Sequence, residues 1–566
     1  MKDPASAVRY ALARLDEVQR PDVWITLRRS EDLIAEAEEV TRRAEAGEDL
    51  PLAGLTFAVK DNIDVADLPT TAGHPEFSRT PERHAPVVER LLGAGAVLLG
   101  KTNLDQFATG LVGTRSPYGE VASAVDSTRV GGGSSSGSAL AVALGIVDFS
   151  LGTDTAGSGR VPAAFNGIVG LKPTLGALPL TGVVPACPSY DTVSIFAPDV
   201  ALAASVMNIV AVRCPEDAHG RDWPETVPLS APAAPVIGVP RDEDLRALSE
   251  GAREVFAQTA DRVRKLGMGT REVDLRPALE AAQLLYHGGL VAERAYAFGD
   301  FIAAHPEQAD PSVRSIVEQA AQVSGPQVIR DQQRLLELKR ELRESFQEVD
   351  ALIMPTAPNH PTLEAVRQDP LTTNSFLGIY TNFVNLFDLS ALAVPVGEVP
   401  GEGLFGVSFL GQAFHDQVLL DLSARFLGMP QPPQAVEAGI DLAVFGAHMR
   451  DEPLNSQLLG FGARYVRDIE TTPRYRMHLI EGATPRPGVV QGDGGVAMPG
   501  ELWRIPATGL TSLLTALPAP MALGPVELSG GKTVTGFTAG LSGEEPDITG
   551  SCGWRGYLRE TAAGSR

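Results

Sequence analysis

The chain has 566 residues, of which 44% are hydrophobic and 21% charged, and its net charge is −23. This length allows two to four domains of about 100–200 residues each. The acidity argues against nucleic-acid binding and against docking on an anionic membrane, but one local Arg can still bind a small anion. The three cysteines are scattered and lack metal-binding spacing. The sequence shows no apolar leader and no apolar run of about 18 residues. These features together favour the cytoplasm.

The N-terminal part alternates between helical and strand-like patterns. Apolar residues at helical spacing predict helix within 7–47. The run 55–59, rich in Thr, Phe and Val, predicts a buried strand that ends at Lys60. A helix over 87–92 and a strand over 96–99 follow. Alternation of this kind predicts an α/β fold, with a mixed or parallel sheet covered by helices.

The remaining elements continue this pattern up to a Pro-rich segment. Helices are predicted over 139–144, 245–265, 277–303 and 312–349, and strands over 353–355 and 391–395. The segment Pro-Gln-Pro-Pro at 430–433 then predicts a linker. The predicted organisation is a first domain over 1–429, a linker over 430–440, a small α+β domain over 441–558 and a tail over 559–566.

Glycine is in excess: it accounts for 58 of the 566 residues, about one in ten, where about 7% is usual. One cluster, 131–138 (Gly-Gly-Gly-Ser-Ser-Ser-Gly-Ser), leads directly into an apolar helical stretch. This context predicts a structured turn with unpaired N–H groups instead of a flexible linker. The cluster lacks the Lys-Ser/Thr ending of a P-loop. A second cluster spans 152–163 (Gly-Thr-Asp-Thr-Ala-Gly-Ser-Gly-Arg-Val-Pro-Ala).

Together these segments resemble the signature of the amidase signature family. Residues 132–138 match its Gly-Gly-Ser-Ser-Gly-Gly-Ser stretch, and residues 152–163 match its Gly-Ser-Asp-Thr-Gly-Gly-Ser-x-Arg-x-Pro-Ala stretch, each with a glycine replaced. The spacing of 24 residues from Ser134 to Ser158 also fits. The resemblance covers roughly residues 50–425 and implies the family's fold, a central mixed β-sheet covered by helices.

The resemblance implies a Ser-Ser-Lys triad. Ser158 matches the nucleophile, Ser134 the bridging serine, which follows a cis peptide bond in the family, and Lys60 the base. A serine hydroxyl is a weak nucleophile until its proton is removed. A lysine can remove that proton only when it is neutral, which requires burial to lower its pKa. No metal and no cofactor is expected.

Backbone N–H groups of the second cluster are expected to bind the oxyanion that forms from the substrate carbonyl. The expected donors belong to Thr155, Ala156, Gly157 and Ser158. Losing one such donor typically lowers the rate about 10²–10³-fold. Asp154 and Arg160 are expected to pair and hold the loop, a structural role that we favour over contact with the substrate.

Two further stretches, 103–117 and 380–386, resemble the allophanate hydrolase branch of the family. Allophanate is a small anion, a carboxylated urea, and its binding requires a cation that can fork onto a carboxylate. Tyr286 and Arg294 match the positions that bind substrate in this branch. They lie eight residues apart in a predicted helical segment, so we expect them to share one face. Without the resemblance, they would be interpreted as a core Tyr and a surface Arg.

The C-terminal stretches 445–458 and 553–558 resemble the domain appended to allophanate hydrolases, which looks like a γ-glutamylcyclotransferase fold. In the family this domain is implicated in processing the first product. His448 is the candidate base there, although a structural role is equally compatible with the sequence.

The resemblance therefore implies an allophanate hydrolase of urea or cyanurate nitrogen catabolism. It would release ammonia and N-carboxycarbamate, which goes on to ammonia and carbon dioxide. A Ser-His-Asp hydrolase centred on Ser135 is one alternative, because 133–137 reads G-x-S-x-G, but 125–130 is a poor strand. Another small-amide amidase and a glutaminase-type amidotransferase subunit also fit the amidase signature, but the appended domain argues against the amidotransferase.

The partners implied are a small anionic substrate and a second copy of the chain, since related enzymes are often dimers. No nucleic acid and no membrane partner is expected from the acidic composition.

Overall fold

The computed structural model describes residues 3–564. The chain divides into two units, of which the first comprises Met1–Asp222 and Pro235–Val436, and the second Trp223–Ala234 and Glu437–Arg566. Residues 1 and 2 of the predicted first domain, and 565 and 566 of the predicted tail, lie outside the described residues.

One large sheet forms the centre of the first unit. Its strands are β1 (Trp24–Leu27), β2 (Thr56–Lys60), β3 (Val97–Thr102), β4 (Phe149–Asp154), β5 (Val169–Lys172), β6 (Thr192–Ala197), β7 (Val236–Pro240), β8 (Gly269–Val273), β9 (Ala351–Pro355), β10 (Ser390–Val399) and β11 (Gly403–Gly411). Their order is β1-β3-β2-β4-β6-β5-β10-β11-β9-β7-β8. β2 pairs in parallel with β3 and β4, whereas β4 and β6 are antiparallel. The predicted mixed sheet is confirmed.

Helices surround this sheet. They are α1 (Pro4–Val18), α2 (Ser30–Glu45), α3 (Pro86–Gly93), α4 (Ser136–Ala143), α5 (Val161–Asn166), α6 (Val200–Val210), α7 (Glu250–Lys265), α8 (Arg276–His287), α9 (Ala292–Arg294), α10 (Asp300–Ala304), α11 (Pro311–Ala320), α12 (Gly325–Ser345), α13 (Leu363–Gln368), α14 (Pro370–Leu377), α15 (Asn382–Leu386) and α16 (Asp416–Leu427). Several begin at side chains that cap the first N–H groups, as Asp199 does for α6 and Ser249 for α7.

Two predicted helical segments are interrupted. The segment 7–47 contains α1, β1 and α2, because the chain turns after Gln19, whose φ of 51° is left-handed. The segment 277–303 breaks at Gly288, which is extended, with φ −108° and ψ −172°. A Cβ at Gly288 would lie 2.7 Å from the Leu284 carbonyl oxygen, so this chain path requires glycine.

The second unit is a small α+β assembly, as expected. It contains β12 (Ile440–Val444), β13 (Arg464–Glu470), β14 (Tyr475–Ile480), β15 (Arg486–Gln491), β16 (Pro499–Ile505), β17 (Met521–Glu527), β18 (Thr533–Ala539), α17 (Asn455–Gly460), α18 (Ala507–Ala516) and α19 (Trp554–Gly564). Five strands form a mixed sheet in the order β13-β16-β12-β18-β17, and β14 and β15 pair in a ribbon, within the described part of the chain.

The segment Trp223–Ala234 packs with the second unit, although the predicted division places it in the first domain. Its Leu229 N–H donates to the Gly462 carbonyl at 3.0 Å, and its Glu225 carbonyl accepts from Ala507 N–H at 2.8 Å. The helix α19 also extends into the predicted tail. The exact boundaries stay a prediction. Between residues 3 and 564, no helix is both long enough and apolar enough to cross a membrane.

Candidate active site

Lys60 ends β2, a strand between β3 and β4, and its side chain is fully buried. Its Nζ donates to Ser134 Oγ at 2.7 Å and to Thr153 Oγ1 at 2.8 Å. Burial lowers the pKa of Lys60 to about 7, although nearby carboxylates act in the opposite direction. An amine with this pKa is largely neutral at slightly alkaline pH, so it can accept a proton.

Ser134 lies in the glycine-rich turn that precedes α4. The peptide bond between Gly133 and Ser134 is cis, as the family resemblance implies. A Cβ at Gly133 would lie 2.1 Å from Asp105 Oδ2, so no other residue fits there. Asp105 in turn accepts from Gly113 N–H at 3.0 Å and Arg115 N–H at 2.9 Å. A buried carboxylate therefore fixes the backbone that carries Ser134.

Ser158 lies in the turn between β4 and α5 and is buried. Its hydroxyl donates to the Gly110 carbonyl at 3.4 Å. Within residues 3–564 it does not form the expected hydrogen bond to Ser134. The structure thus brings together the Lys60–Ser134 half of the predicted relay. The described residues show no hydrogen bond between Ser134 and Ser158, and catalytic hydrogen bonds often form only when substrate binds.

Asp154 and Arg160 form a fully buried bidentate pair, with Nε to Oδ2 and Nη2 to Oδ1 both at 2.9 Å. Burial raises the pKa of Asp154, but the Arg160 charge and hydrogen bonds outweigh it and hold that pKa below its usual value. Asp154 also accepts from Gly157 N–H and Gly159 N–H, each at 2.9 Å. The pair therefore shapes the turn around Ser158, which agrees with the favoured structural role.

This arrangement changes the expected oxyanion hole at one position. The Gly157 N–H donates to Asp154 Oδ1, so this group already has a partner within the protein. The N–H groups of Thr155, Ala156 and Ser158 have no hydrogen bond to the described residues. Gly157 has φ +128°, and a Cβ there would lie 2.4 Å from Thr381 Oγ1. Its role is conformational, and the remaining three N–H groups are candidate oxyanion donors.

Tyr286 and Arg294 meet, but not along one helix. Tyr286 lies near the end of α8, the chain breaks at Gly288, and Arg294 ends the short helix α9. The expectation of one shared helical face is therefore wrong, since the helix is interrupted. Across this break, the Arg294 guanidinium carbon still lies 4.2 Å from the Tyr286 ring centroid.

Arg294 is fully buried, and its Nε, Nη1 and Nη2 have no hydrogen bond of normal geometry among the described residues, although Tyr286 and Cys187 lie close enough to interact with it. An unpaired buried cation costs several kcal/mol, so such a group calls for an anionic ligand. Cys187 lies beside it, and burial raises the pKa of that thiol to about 12, which keeps it neutral. The site therefore presents unused donors for a small anion.

The sequence contains no signal for Asp191, which connects the two parts of this site. It accepts from Thr155 Oγ1, from Ala186 N–H at 2.8 Å and from Cys187 N–H at 3.1 Å. Burial raises the pKa of Asp191 to about 6, whereas these hydrogen bonds and the Arg294 charge act to lower it. Asp191 belongs to no recognised motif, and only its position just before β6 brings it here.

Ser135 does not have the surroundings of a nucleophile. Its Oγ donates to the Thr153 carbonyl at 3.0 Å and accepts from Thr153 N–H at 3.2 Å. Residues 125–130, which would have to form the preceding strand, form only isolated bridges in the described structure. The Ser-His-Asp alternative therefore has no structural support.

His448 follows β12 in the second unit. Its ring stacks on Phe537 with 4.8 Å between centroids, and its Nε2 lies 3.1 Å from Gln457 Oε1. Burial lowers the pKa of His448, which keeps the imidazole neutral. A cavity of about 530 Å³ in this unit is lined by Met449, Trp554 and other residues, but His448 does not line it. No cluster of potential metal ligands occurs in the described residues.

Two family models match the chain. The model for Amidase matches residues 6–420, and that for the Allophanate hydrolase C-terminal domain matches residues 440–559. The chain is 38% identical to the urea amidolyase of Saccharomyces cerevisiae, over 95% of this chain and 31% of that protein. It thus spans about a third of the length of this relative. It is also 36% identical to the urea amidolyase of Lachancea kluyveri, over 94% of this chain and 31% of that protein.

Solved structures agree with these matches. The allophanate hydrolase of Kluyveromyces lactis superimposes with a TM-score of 0.86 at 35% identity, over 99% of this chain and 97% of that one. The urea amidolyase of K. lactis gives a TM-score of 0.87 at 35% identity, over 99% of this chain and 36% of that one. The matches confirm the resemblance seen in the sequence, and the chain belongs to the amidase family.

Proposed function

We propose that the protein is an allophanate hydrolase, which cleaves the terminal amide of allophanate through a Ser158 acyl-enzyme. The observation that carries this proposal is the partnerless Arg294, buried and stacked on Tyr286, in a fold whose Lys60 is hydrogen-bonded to Ser134. The match of the second unit to the allophanate hydrolase C-terminal domain supports the same substrate.

The first chemical step is activation of Ser158. A neutral amine has two N–H donors and one lone pair, so Lys60 can donate to Thr153 while it accepts the Ser134 proton. Ser134 then takes the Ser158 proton, and Ser158 Oγ attacks the amide carbonyl carbon. The N–H groups of Thr155, Ala156 and Ser158 stabilise the resulting oxyanion.

The acyl-enzyme then forms and breaks down. The carbon–nitrogen bond of the terminal amide breaks, and the proton held by Lys60 returns through Ser134 to the departing ammonia. Water adds to the acyl carbonyl by the same proton route and releases N-carboxycarbamate. Throughout, Arg294 holds the substrate carboxylate through forked hydrogen bonds, which fixes the carbonyl relative to Ser158.

N-carboxycarbamate goes on to ammonia and two carbon dioxide molecules, so one allophanate yields two of each gas. We propose that the second unit promotes this later step, with His448 as candidate base. The low pKa that burial gives His448 leaves it neutral and able to accept a proton.

The test is ammonia release by the purified protein from allophanate, compared with glutamine and simple carboxamides. Two ammonia per allophanate, with kcat/KM far above that for glutamine, is the expected result. Preferential release from glutamine would favour a glutaminase-type amidotransferase subunit, and preferential release from a simple carboxamide would favour another small-amide amidase. A homodimer in the cytoplasm remains the predicted assembly and location, and light scattering of the purified protein tests the former.

A further inference from the structure

Asp191 connects two segments that the proposed reaction uses separately. On one side it accepts from the Thr155 hydroxyl, beside the candidate oxyanion donors. On the other side it accepts from Ala186 N–H and Cys187 N–H, and Cys187 lies against Arg294. One buried carboxylate thus contacts both the turn that carries Ser158 and the loop that borders the anion-binding cation.

The loop 186–190 is also attached to Arg294 through the neighbouring residue. Ser189 N–H donates to Glu293 Oε2 at 2.9 Å, and Glu293 directly precedes Arg294. At the next residue, Asn385 Nδ2 donates both to the Tyr190 carbonyl at 2.9 Å and to the Asp154 carbonyl at 2.8 Å. These bonds hold the end of the loop at Ser189 and Tyr190, and Asp191 holds its beginning through Ala186 and Cys187.

The hydrogen bonds of Asp191 have a second consequence. Asp191 accepts from Thr155 and from the two N–H groups, and it forms no ion pair with Arg294 among the described residues. Arg294 thus keeps its donors free although an opposite charge is nearby. The geometry brings a carboxylate close to the cation without letting it compete with an anionic substrate.

We propose that Asp191 is a positioning residue that fixes the spacing between the Thr155 end of the oxyanion hole and Arg294. A substrate anchored by its carboxylate then presents its amide carbonyl to the N–H groups in one geometry. This inference rests on the proposed function. It assigns Asp191 no contact with the substrate, so its loss should impair turnover more than it impairs anion binding.

The test compares Asp191→Asn, Thr155→Val, Thr155→Ser and the double variant Asp191→Asn/Thr155→Val. For each, kcat on allophanate and the inhibition constant of malonate, a small dicarboxylate probe of Arg294, are measured. We expect Thr155→Val and Asp191→Asn each to lower kcat about 10-fold or more, with the malonate constant unchanged within about 2-fold. Thr155→Ser, which keeps the hydroxyl, should retain more activity than Thr155→Val.

The double variant separates positioning from general structural damage. If both residues act through their shared hydrogen bond, its kcat should be no lower than that of Asp191→Asn. Asp199→Asn, which makes the same carboxylate-to-amide change in the same chain segment while its oxygen can still cap α6, is the matched control and should leave both constants unchanged. If kcat and malonate binding fall in parallel, if the two substitutions are additive, or if Asp191→Asn keeps full kcat, the positioning role is overturned. A wild-type protein without ammonia release from allophanate would instead contradict the proposed function.

Discussion

The Arg294 guanidinium lies over the Tyr286 ring at 4.2 Å, with its carbon above the centroid and its nitrogens without hydrogen bonds in the described residues. This cation–π interaction holds the guanidinium against the ring. The guanidinium N–H groups that have no hydrogen bond can bind a carboxylate in the forked geometry. The contact therefore orients Arg294 for a ligand without neutralising it.

The first prediction concerns the cost of keeping Arg294 unpaired. Arg294→Met removes a buried charge but keeps an apolar stem, so the ligand-free protein should melt at an equal or higher temperature. KM for allophanate should rise at least about 10-fold, because hydrogen bonds to a charged group contribute roughly 1.5–3 kcal/mol each. Steady-state kinetics and thermal unfolding check both effects.

The control for this prediction is Arg262→Met. Arg262 also stacks on an aromatic ring, with its guanidinium carbon 4.5 Å from the Phe426 centroid, but it has no place in the site. The Arg262→Met variant should leave KM for allophanate unchanged. An Arg294→Met protein with unaltered KM would show that this cation does not bind the substrate.

How well the sequence predicts each part of this site depends on how far apart the contacting residues lie along the chain. Lys60 and Ser134 were predictable because each lies in a local pattern, a strand end and a glycine-rich turn, that specifies its surroundings. The Tyr286–Arg294 contact was expected, but for the wrong reason, since the helix is interrupted at Gly288 and the two residues lie in different helices. The role of Asp191 depends on hydrogen bonds to Thr155, 36 residues away, that no local pattern encodes.

The second prediction is an acidic limb in the pH profile. Lys60 must be neutral to accept a proton, and burial lowers its pKa to about 7. Activity should therefore be present above pH 7 and fall about tenfold per unit as the pH decreases below it. The profile of kcat/KM measures this limb. Lys339→Met, which removes a lysine of α12, should leave it unchanged, whereas a flat profile between about pH 5.5 and 8 would contradict Lys60 as the base.

The third prediction tests whether Ser158 or Ser135 is the nucleophile. Ser158→Ala should lower kcat by roughly 10⁴–10⁶-fold without altering the melting temperature, since the nucleophile is lost while the fold keeps its contacts. Ser135→Ala removes only a hydroxyl bonded to the Thr153 backbone and should keep most of the activity. Ammonia release measures both. The opposite pattern would restore the Ser-His-Asp mechanism centred on Ser135.

The fourth prediction concerns the buried pair of Asp154 and Arg160. Arg160→Met leaves the Asp154 carboxylate buried without its partner, which should lower the free energy of unfolding by about 3–5 kcal/mol. Arg271→Met is the control, because the Arg271–Glu348 pair is half exposed, with 52% and 56% of the two side chains accessible. Arg271→Met should lower the free energy of unfolding by only about 0–1 kcal/mol. Urea denaturation measures both, and equal costs would contradict a structural role for the Asp154–Arg160 pair.

The last prediction separates the two units by their products. If Ser158 releases the first ammonia and His448 promotes the later step, His448→Gln should leave the first ammonia unchanged and slow the second. Glutamine keeps a hydrogen bond to Gln457 but cannot act as a base near neutral pH. Rapid-quench measurement of ammonia and carbon dioxide resolves the two steps. His478→Gln, in which the replaced ring contacts the Glu545 carbonyl at 3.2 Å in the same unit, should change neither rate. If the second ammonia appears as fast with His448→Gln as with the wild type, the imidazole is structural, and its stacking on Phe537 explains its burial.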